Sequence, residues 1–337
     1  MDVPGWVWAV TVGVIVLMLT IDFVGHVRTP HAPSLKEAGT WSAVYVAIAL
    51  IFGVIVLLAW GGQFGQEYFA GYVTEKSLSV DNLFVFVLIM SSFKVPREYQ
   101  QKVLLIGIII ALVLRTIFIF LGAAAIEQFA WVFYIFGAFL LWTAYTQIRS
   151  KPDDESADGQ NGVVRLVRRV FPTTDDYVED RLTVKIDGRR MITPMLIVMV
   201  AIGSADVMFA VDSIPAIFGL TQETYLIFAA NAFSLLGLRQ LYFLIDGLLD
   251  RLVYLHYGLA AILALIGFKL LIHALHENDV FFINGGDPVT AIPEVPTNLS
   301  LVLILGILVV TTVASLTIGR RRKEPLGPVN PPRGDED

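Results

Sequence analysis

Nine stretches of predominantly apolar residues follow one another along the chain, at about 3–24, 41–60, 68–93, 103–126, 129–148, 192–218, 225–245, 252–275 and 299–318. A bilayer core about 30 Å thick takes roughly 20 apolar residues per helical crossing. The pattern therefore predicts an all-α, polytopic membrane protein with nine transmembrane helices. The first stretch is as long as a full span, lacks a basic stretch before it and has no small-residue cleavage site after it. It reads as an anchor, not a removable signal. The predicted organisation is two leading helices (1-66), a three-span unit (67-148), a loop (149-191), a second three-span unit (192-276), an outer loop with the ninth span (277-318), and a disordered tail (319-337).

Composition narrows the class. Of 337 residues 56% are hydrophobic and 16% charged, where a soluble protein carries about 25% charged residues. A pair of soluble domains is excluded. Absence of cysteine removes disulfides, thiolate metal sites and cysteine nucleophiles.

Charge position says more than the net value of −6. Twenty of the 24 Lys and Arg fall in 25–40, 94–102, 149–191, 246–251 and the tail after 318. The alternate segments hold none, so the positive-inside bias predicts an N-out, C-in chain in the cell (plasma or inner) membrane. The outer loop carries Glu277, Asp279, Asp287 and Glu294 instead. Within 149–191, residues Val163–Phe171 alternate apolar and basic positions at helical spacing, as suits a helix on an anionic cytoplasmic leaflet. Leu182–Met191 alternates around Asp187-Gly188, a hairpin signal. The tail begins with Arg320-Arg321-Arg322-Lys323, a stop-transfer anchor. The basic residues serve the membrane; no nucleic acid partner is expected.

The four remaining cations, Lys76, Arg115, Arg239 and Lys269, lie inside predicted spans, and so do acids in a repeating pattern. The third span holds Glu75-Lys76-Ser77-Leu78-Ser79-Val80-Asp81-Asn82, and the sixth Asp206-Val207-Met208-Phe209-Ala210-Val211-Asp212-Ser213. Each reads acid, five residues, Asp, then an amide or hydroxyl residue. The next span in each case carries one arginine, Arg115 or Arg239. Spans 3–5 thus repeat as spans 6–8, and an odd number of crossings gives two inverted three-helix repeats, an architecture typical of secondary transporters.

A carboxylate in mid-bilayer costs at least about 2.5–3.5 kcal/mol. Five of them (Asp22, Glu75, Asp81, Asp206 and Asp212) imply a shared polar cavity. In a regular helix the two acids of each motif, six residues apart, point about 120° from one another. Local unwinding near Pro215 would let them converge and free carbonyls as ligands. Carboxylate, amide, hydroxyl and carbonyl oxygens suit hard divalent cations such as Mg²⁺, Ca²⁺ or Mn²⁺. The plainer reading is internal ion pairing, which fits Lys76, Arg115 and Arg239 best, as structural counter-ions. Lys269 reads as snorkelling outward, His26 as interfacial, His273 and His276 as surface residues, and Trp142 as packing.

The residues from Glu75 to Asn82 and from Phe209-Ala210-Val211-Asp212-Ser213-Ile214-Pro215 to Phe218 resemble the two signature stretches of the TerC/Alx family. Val113–Thr116, Tyr134–Phe139 and Leu236–Arg239 are similar to that family as well, and the resemblance runs from about residue 15 to 318. It implies membership of the LysE transporter superfamily, manganese as the transported substrate, and a cation path lined by Glu75, Asp81, Asn82, Asp206, Asp212 and Ser213, with Asp22 contributing from span one. This chain departs from the family at Gly203, where a Glu is common three residues before the second acidic motif.

Two functions follow as expectations. The first is a divalent metal-ion exporter, not an enzyme, carrying Mn²⁺ (or Ca²⁺ or Mg²⁺) outward by alternating access, with protons as counter-ion. The second is a membrane accessory factor for insertion or metalation of exported proteins, with a structural or regulatory metal site. An aspartyl-protease dyad leaves the extra acids and arginines unexplained. The sequence leaves the oligomeric state open.

Overall fold

The computed structural model describes residues 1–27, 33–149, 169, 172–174, 177–178, 181–186, 189–245, 254–278, 280–281 and 283–318. The described chain is mostly helical: α1 Gly5–Asp22, continued by a π-helical turn Phe23–Val27, α2 Leu35–Trp60, α3 Gly62–Ser92, α4 Arg97–Gln128 and α5 Val132–Arg149. A hairpin of β1 Thr183–Ile186 and β2 Arg189–Ile192 follows. Then come α6 Pro194–Phe218, α7 Thr224–Leu236, α8 Leu238–Ile245, α9 Leu255–His276 and α10 Thr297–Ile318. Every apolar run of the sequence coincides with a helix, the seventh with the α7–α8 pair.

Seven of the described helical segments are long and apolar enough to cross a membrane. The two runs outside that set are α3 and α5. α3 is 31 residues long and carries Glu67, Glu75, Lys76 and Asp81; α5 spans only 18 and ends in Gln147 and Arg149. These are also the helices that bring polar groups to the site.

Helix ends differ from the apolar runs where capping decides them. α2 starts at Leu35, six residues before its run, because Ser34 accepts from the Glu37 backbone N–H and satisfies an orphan donor of the first turn. α2 and α3 are joined by Gly61 alone, at φ 104°, which only glycine adopts without strain. The hairpin pairs Thr183 with Ile192 and Ile186 with Arg189, in line with the hairpin the sequence predicts; Asp187 and Gly188 lie outside the described residues. The amphipathic stretch 163–171, apart from Arg169, and the tail lie outside the described residues.

Contacts between helices give their relative directions. Tyr68 Oη donates to Ala49 O at 3.0 Å and Gly65 meets Leu57, so α2 and α3 are antiparallel. Gly71 lies against Ala230, and Lys76 reaches Ser234 O, so α3 and α7 run the same way. Gly107 against Ile202 and Gly122 against Phe218 make α4 parallel to α6. Phe133 stacks edge-on against His273 while Gly137 and Gly267 touch backbone to backbone, so α5 and α9 are antiparallel. The chain thus reverses at each helix in turn, counting α7–α8 as one. The pairs α3–α7 and α4–α6 exchange when spans 3–5 are mapped onto spans 6–8.

One tie fixes the segment before the hairpin. Tyr177 Oη donates to Phe93 O at 2.9 Å, and burial pushes that phenol up to about 12. It stays a neutral donor that fastens the loop to the end of α3.

Candidate functional site

α3 and α6 remain regular helices through their acidic motifs, which corrects the expected unwinding. Pro215 sits in the last turn of α6; its missing N–H takes away the usual donor to the Val211 carbonyl, yet the helix runs on through Asp212 to Phe218. The two acids of each motif consequently point to different neighbours, as a 100° step per residue requires.

The first acids, Glu75 and Asp206, face each other across Arg115 of α4. Arg115 forms a two-pronged pair with Asp206, Nε to Oδ2 at 3.1 Å and Nη2 to Oδ1 at 3.0 Å. Its Nη1 donates to Ser213 Oγ at 3.1 Å and to Glu75 Oε1. Arg115 and Glu75 are wholly buried and Asp206 nearly so. A planar guanidinium with five donors is the side chain that can serve two carboxylates and a hydroxyl at once.

The second acids, Asp81 and Asp212, line a cavity of about 400 Å³ together with Asn82 and Ser213. α5 supplies the facing wall. Gln147 Nε2 donates to Asp81 Oδ2 at 3.2 Å, and Thr143 Oγ1 donates to Asp212 Oδ1 at 3.3 Å; Thr146 lines the cavity beside them. Trp142, read from sequence as packing, is exposed at the cavity rim with Met208. Sequence reasoning passed over Thr143, Thr146 and Gln147. Their spacing of i, i+3, i+4 in an otherwise apolar run was the available signal, since it puts three polar groups on one helix face.

Asp22 lies elsewhere. It accepts from Tyr45 Oη at 2.5 Å, Arg239 Nη2 at 2.8 Å and Gln240 Nε2 at 3.2 Å, and Arg239 also donates to Gln101 Oε1 at 2.8 Å. This cluster joins α1, α2, α4 and α8. Lys76 is aimed at neither carboxylate group. Its Nζ donates to Ser234 O at 3.0 Å, where α7 breaks at Gly237 and its last carbonyls want donors. Arg239 sits beyond that break, so its partner is Asp22 and not the motif acids held by its counterpart Arg115. Lys269 bonds Thr297 Oγ1 at the N-terminus of α10. The His26 side chain lies outside the described residues.

The five acids are therefore divided: one Arg115 knot, one two-aspartate cavity, one Asp22–Arg239 pair. Among the described residues no group of three or more His, Asp and Glu side chains is gathered tightly enough to hold a metal ion. The cavity offers two carboxylates, each held by a neutral donor, plus amide and hydroxyl oxygens. That set suits a hard cation arriving partly hydrated. At Gly203 an added Cβ would make ordinary contact with Ile110 of α4.

Comparison with known proteins gives the family. The profile described as "Integral membrane protein TerC family" matches residues 60–323. An uncharacterized membrane protein of Mycobacterium tuberculosis (strain H37Rv) is 52% identical over 327 residues, covering 96% of this chain and 82% of the relative. An uncharacterized membrane protein of Myxococcus xanthus is 36% identical over 94% of this chain and 93% of its own length. The Escherichia coli (strain K12) protein named "Putative membrane-bound redox modulator Alx" is 36% identical over 95% of this chain and 97% of its own. No solved structure matches. The chain belongs to the TerC family of integral membrane proteins.

Proposed function

We propose that this protein exports a divalent cation, Mn²⁺ by the family resemblance, across the cell membrane through alternating access of two inverted three-helix repeats. The observation that carries the reading is the meeting of Asp81 and Asp212 at one cavity. They are the corresponding acids of the two sequence motifs, contributed by α3 and α6. A site shared equally by two repeats is what a rocking transporter presents to its substrate. The alternating helix directions support nine crossings, the Lys and Arg bias supports an N-out, C-in orientation, and the exchange of α3–α7 with α4–α6 supports inverted repeats.

In this reading Asp81, Asn82, Asp212 and Ser213 contact the ion, with the other oxygens supplied by water or by the α5 donors once they turn. Glu75 and Asp206 act at one remove, through Arg115 and Ser213. Asp22 with Arg239 ties the start of α8 to α1. The name of the Escherichia coli relative speaks of redox modulation. This chain has no cysteine, so thiol exchange of its own is excluded, and an influence on redox state would run through the supply of a metal ion.

The test uses purified protein in liposomes, following Mn²⁺, Ca²⁺ and Mg²⁺ with and without a pH gradient. Asp81→Asn and Asp212→Asn change charge and not shape, so both variants should fold with a melting temperature within a few degrees of the parent and lose flux. Parental flux in either variant, or none from the parent, refutes the mechanism; the latter outcome favours the accessory role.

A further inference from the structure

A second, larger cavity of about 840 Å³ lies at the outer ends of α3, α6 and α9, lined among others by Gln63, Glu67, Thr221, Lys269, His273 and Glu294. The Asp81–Asp212 cavity is bounded by the same three helices, through Asp81, Asp212 and Leu263, with α5 as its fourth wall. An ion moving along these helices from that cavity toward the first turn of α3 would meet this one.

One wall of this outer cavity is the segment 294–297 of the loop before α10, and two histidines of α9 hold that segment. His273 Nδ1 is 2.9 Å from Glu294 Oε1, and its Nε2 faces Gln222 at 2.6 Å and Glu277 Oε2 at 3.7 Å. His276 Nε2 donates to Ile292 O at 2.6 Å, and its Nδ1 faces Glu294 Oε1 at 3.6 Å. The His273 ring is steadied edge-on against Phe133. The other charged groups facing the pair are Lys269, one turn back on α9, Glu67 from α3, and Glu223, which is paired with the N-terminus.

A neutral histidine has one N–H. With His276 Nε2–H given to Ile292 O, its bare Nδ1 then points at a carboxylate, while His273 gives its one N–H to Glu294 and accepts from Gln222 Nε2. Protonation supplies the missing N–H at His276 Nδ1 and adds charge to both rings' contacts with Glu294, while His273 exchanges its bond from Gln222 for attraction to Glu277. Acid external pH therefore tightens the grip on residues 292–294, and rising pH loosens it.

We propose that the outer cavity is the exit vestibule of the cation path, and that residues 292–294 form a strap across it latched by His273 and His276, shut in acid and released as pH rises. The vestibule assignment rests on the export reading; the latch does not.

The absence of native cysteine makes the test direct. Leu220→Cys, at a buried apolar position lining the cavity, reports access to a membrane-impermeant thiol reagent, with Leu270→Cys as a second reporter. Phe281→Cys, 83% exposed, is the reference whose rate cancels the pH dependence of thiol chemistry. The relative labelling rate should rise about tenfold between about pH 5.5 and pH 8, the range over which histidine changes charge. It should be high at both values in a His273→Gln, His276→Gln background. A flat ratio, or a profile unchanged by the histidine substitutions, overturns the latch. In liposomes, labelling Leu220→Cys with a bulky reagent should stop Mn²⁺ flux. Flux surviving complete labelling overturns the vestibule. Absence of flux before labelling refutes the export reading and the vestibule with it, while the labelling ratio still decides the latch.

Discussion

Arg115 shows how one side chain resolves the cost of placing acids in a bilayer. Two carboxylates and one hydroxyl share its donors, which makes three helices compatible at that depth. Removing one member of a buried ionic group leaves the others uncompensated, at a cost of about 3–5 kcal/mol. Arg115→Gln should therefore abolish a cooperative melting transition in detergent, whereas Arg115→Lys, which keeps charge but loses the fork, should melt lower and still fold. Equal melting of the two variants would mean that charge, or shape, alone accounts for the knot. The acidic motifs were legible in the sequence because carboxylates in an apolar run are rare. Their division into two groups was not. It depends on α3 and α6 staying helical, and a proline near Asp212 argued locally for the opposite.

At the level of elements, glycines locate the tight crossings. Gly137 and Gly267 bring α5 and α9 so close that a Cβ on Gly137 would lie 2.9 Å from Gly267 O. Such contact between backbones is a usual way for membrane helices to associate. Gly137→Ala should cost about 1–3 kcal/mol by overpacking. Gly203→Ala, with only Ile110 at 3.5 Å, should be neutral or stabilising by up to about 1 kcal/mol, since alanine is the better helix former. Thermal melts of the two variants in one detergent check the contrast, and a larger loss for Gly203→Ala would contradict the packing described. Hydrophobic periodicity could not reveal these crossings, because small residues mark a contact only when the facing helix is known. The same blindness hid Thr143 and Gln147. They look ordinary on α5 until Asp212 and Asp81 are set opposite.

For the whole molecule, the sequence carried the helical character and the order of the helices, because the bilayer punishes exceptions; seven of the nine expected spans are long and apolar enough to cross a membrane among the described residues. The orientation predicts that Phe281→Cys in intact cells reacts with an impermeant thiol reagent, while a cysteine appended to the C-terminus reacts only after permeabilisation. The reverse result would invert the proposed direction of transport. Partnership between distant helices was beyond the sequence: that α3 lies along α7 and α4 along α6 follows from three-dimensional packing of nearly featureless apolar surfaces.

Ser213 has Asp212 as its neighbour in the chain and Arg115 as its hydrogen-bond partner. In the proposed mechanism the clamp thus welds the first helix of one repeat to the first helix of the other, through a residue that lines the cavity itself. Two halves fastened at that point can tilt about it but cannot part there. Arg115 is then a fulcrum. The ends of α3 and α6 remote from it must make the larger excursions, and Asp212, beside the pivot, is the cavity acid that moves least.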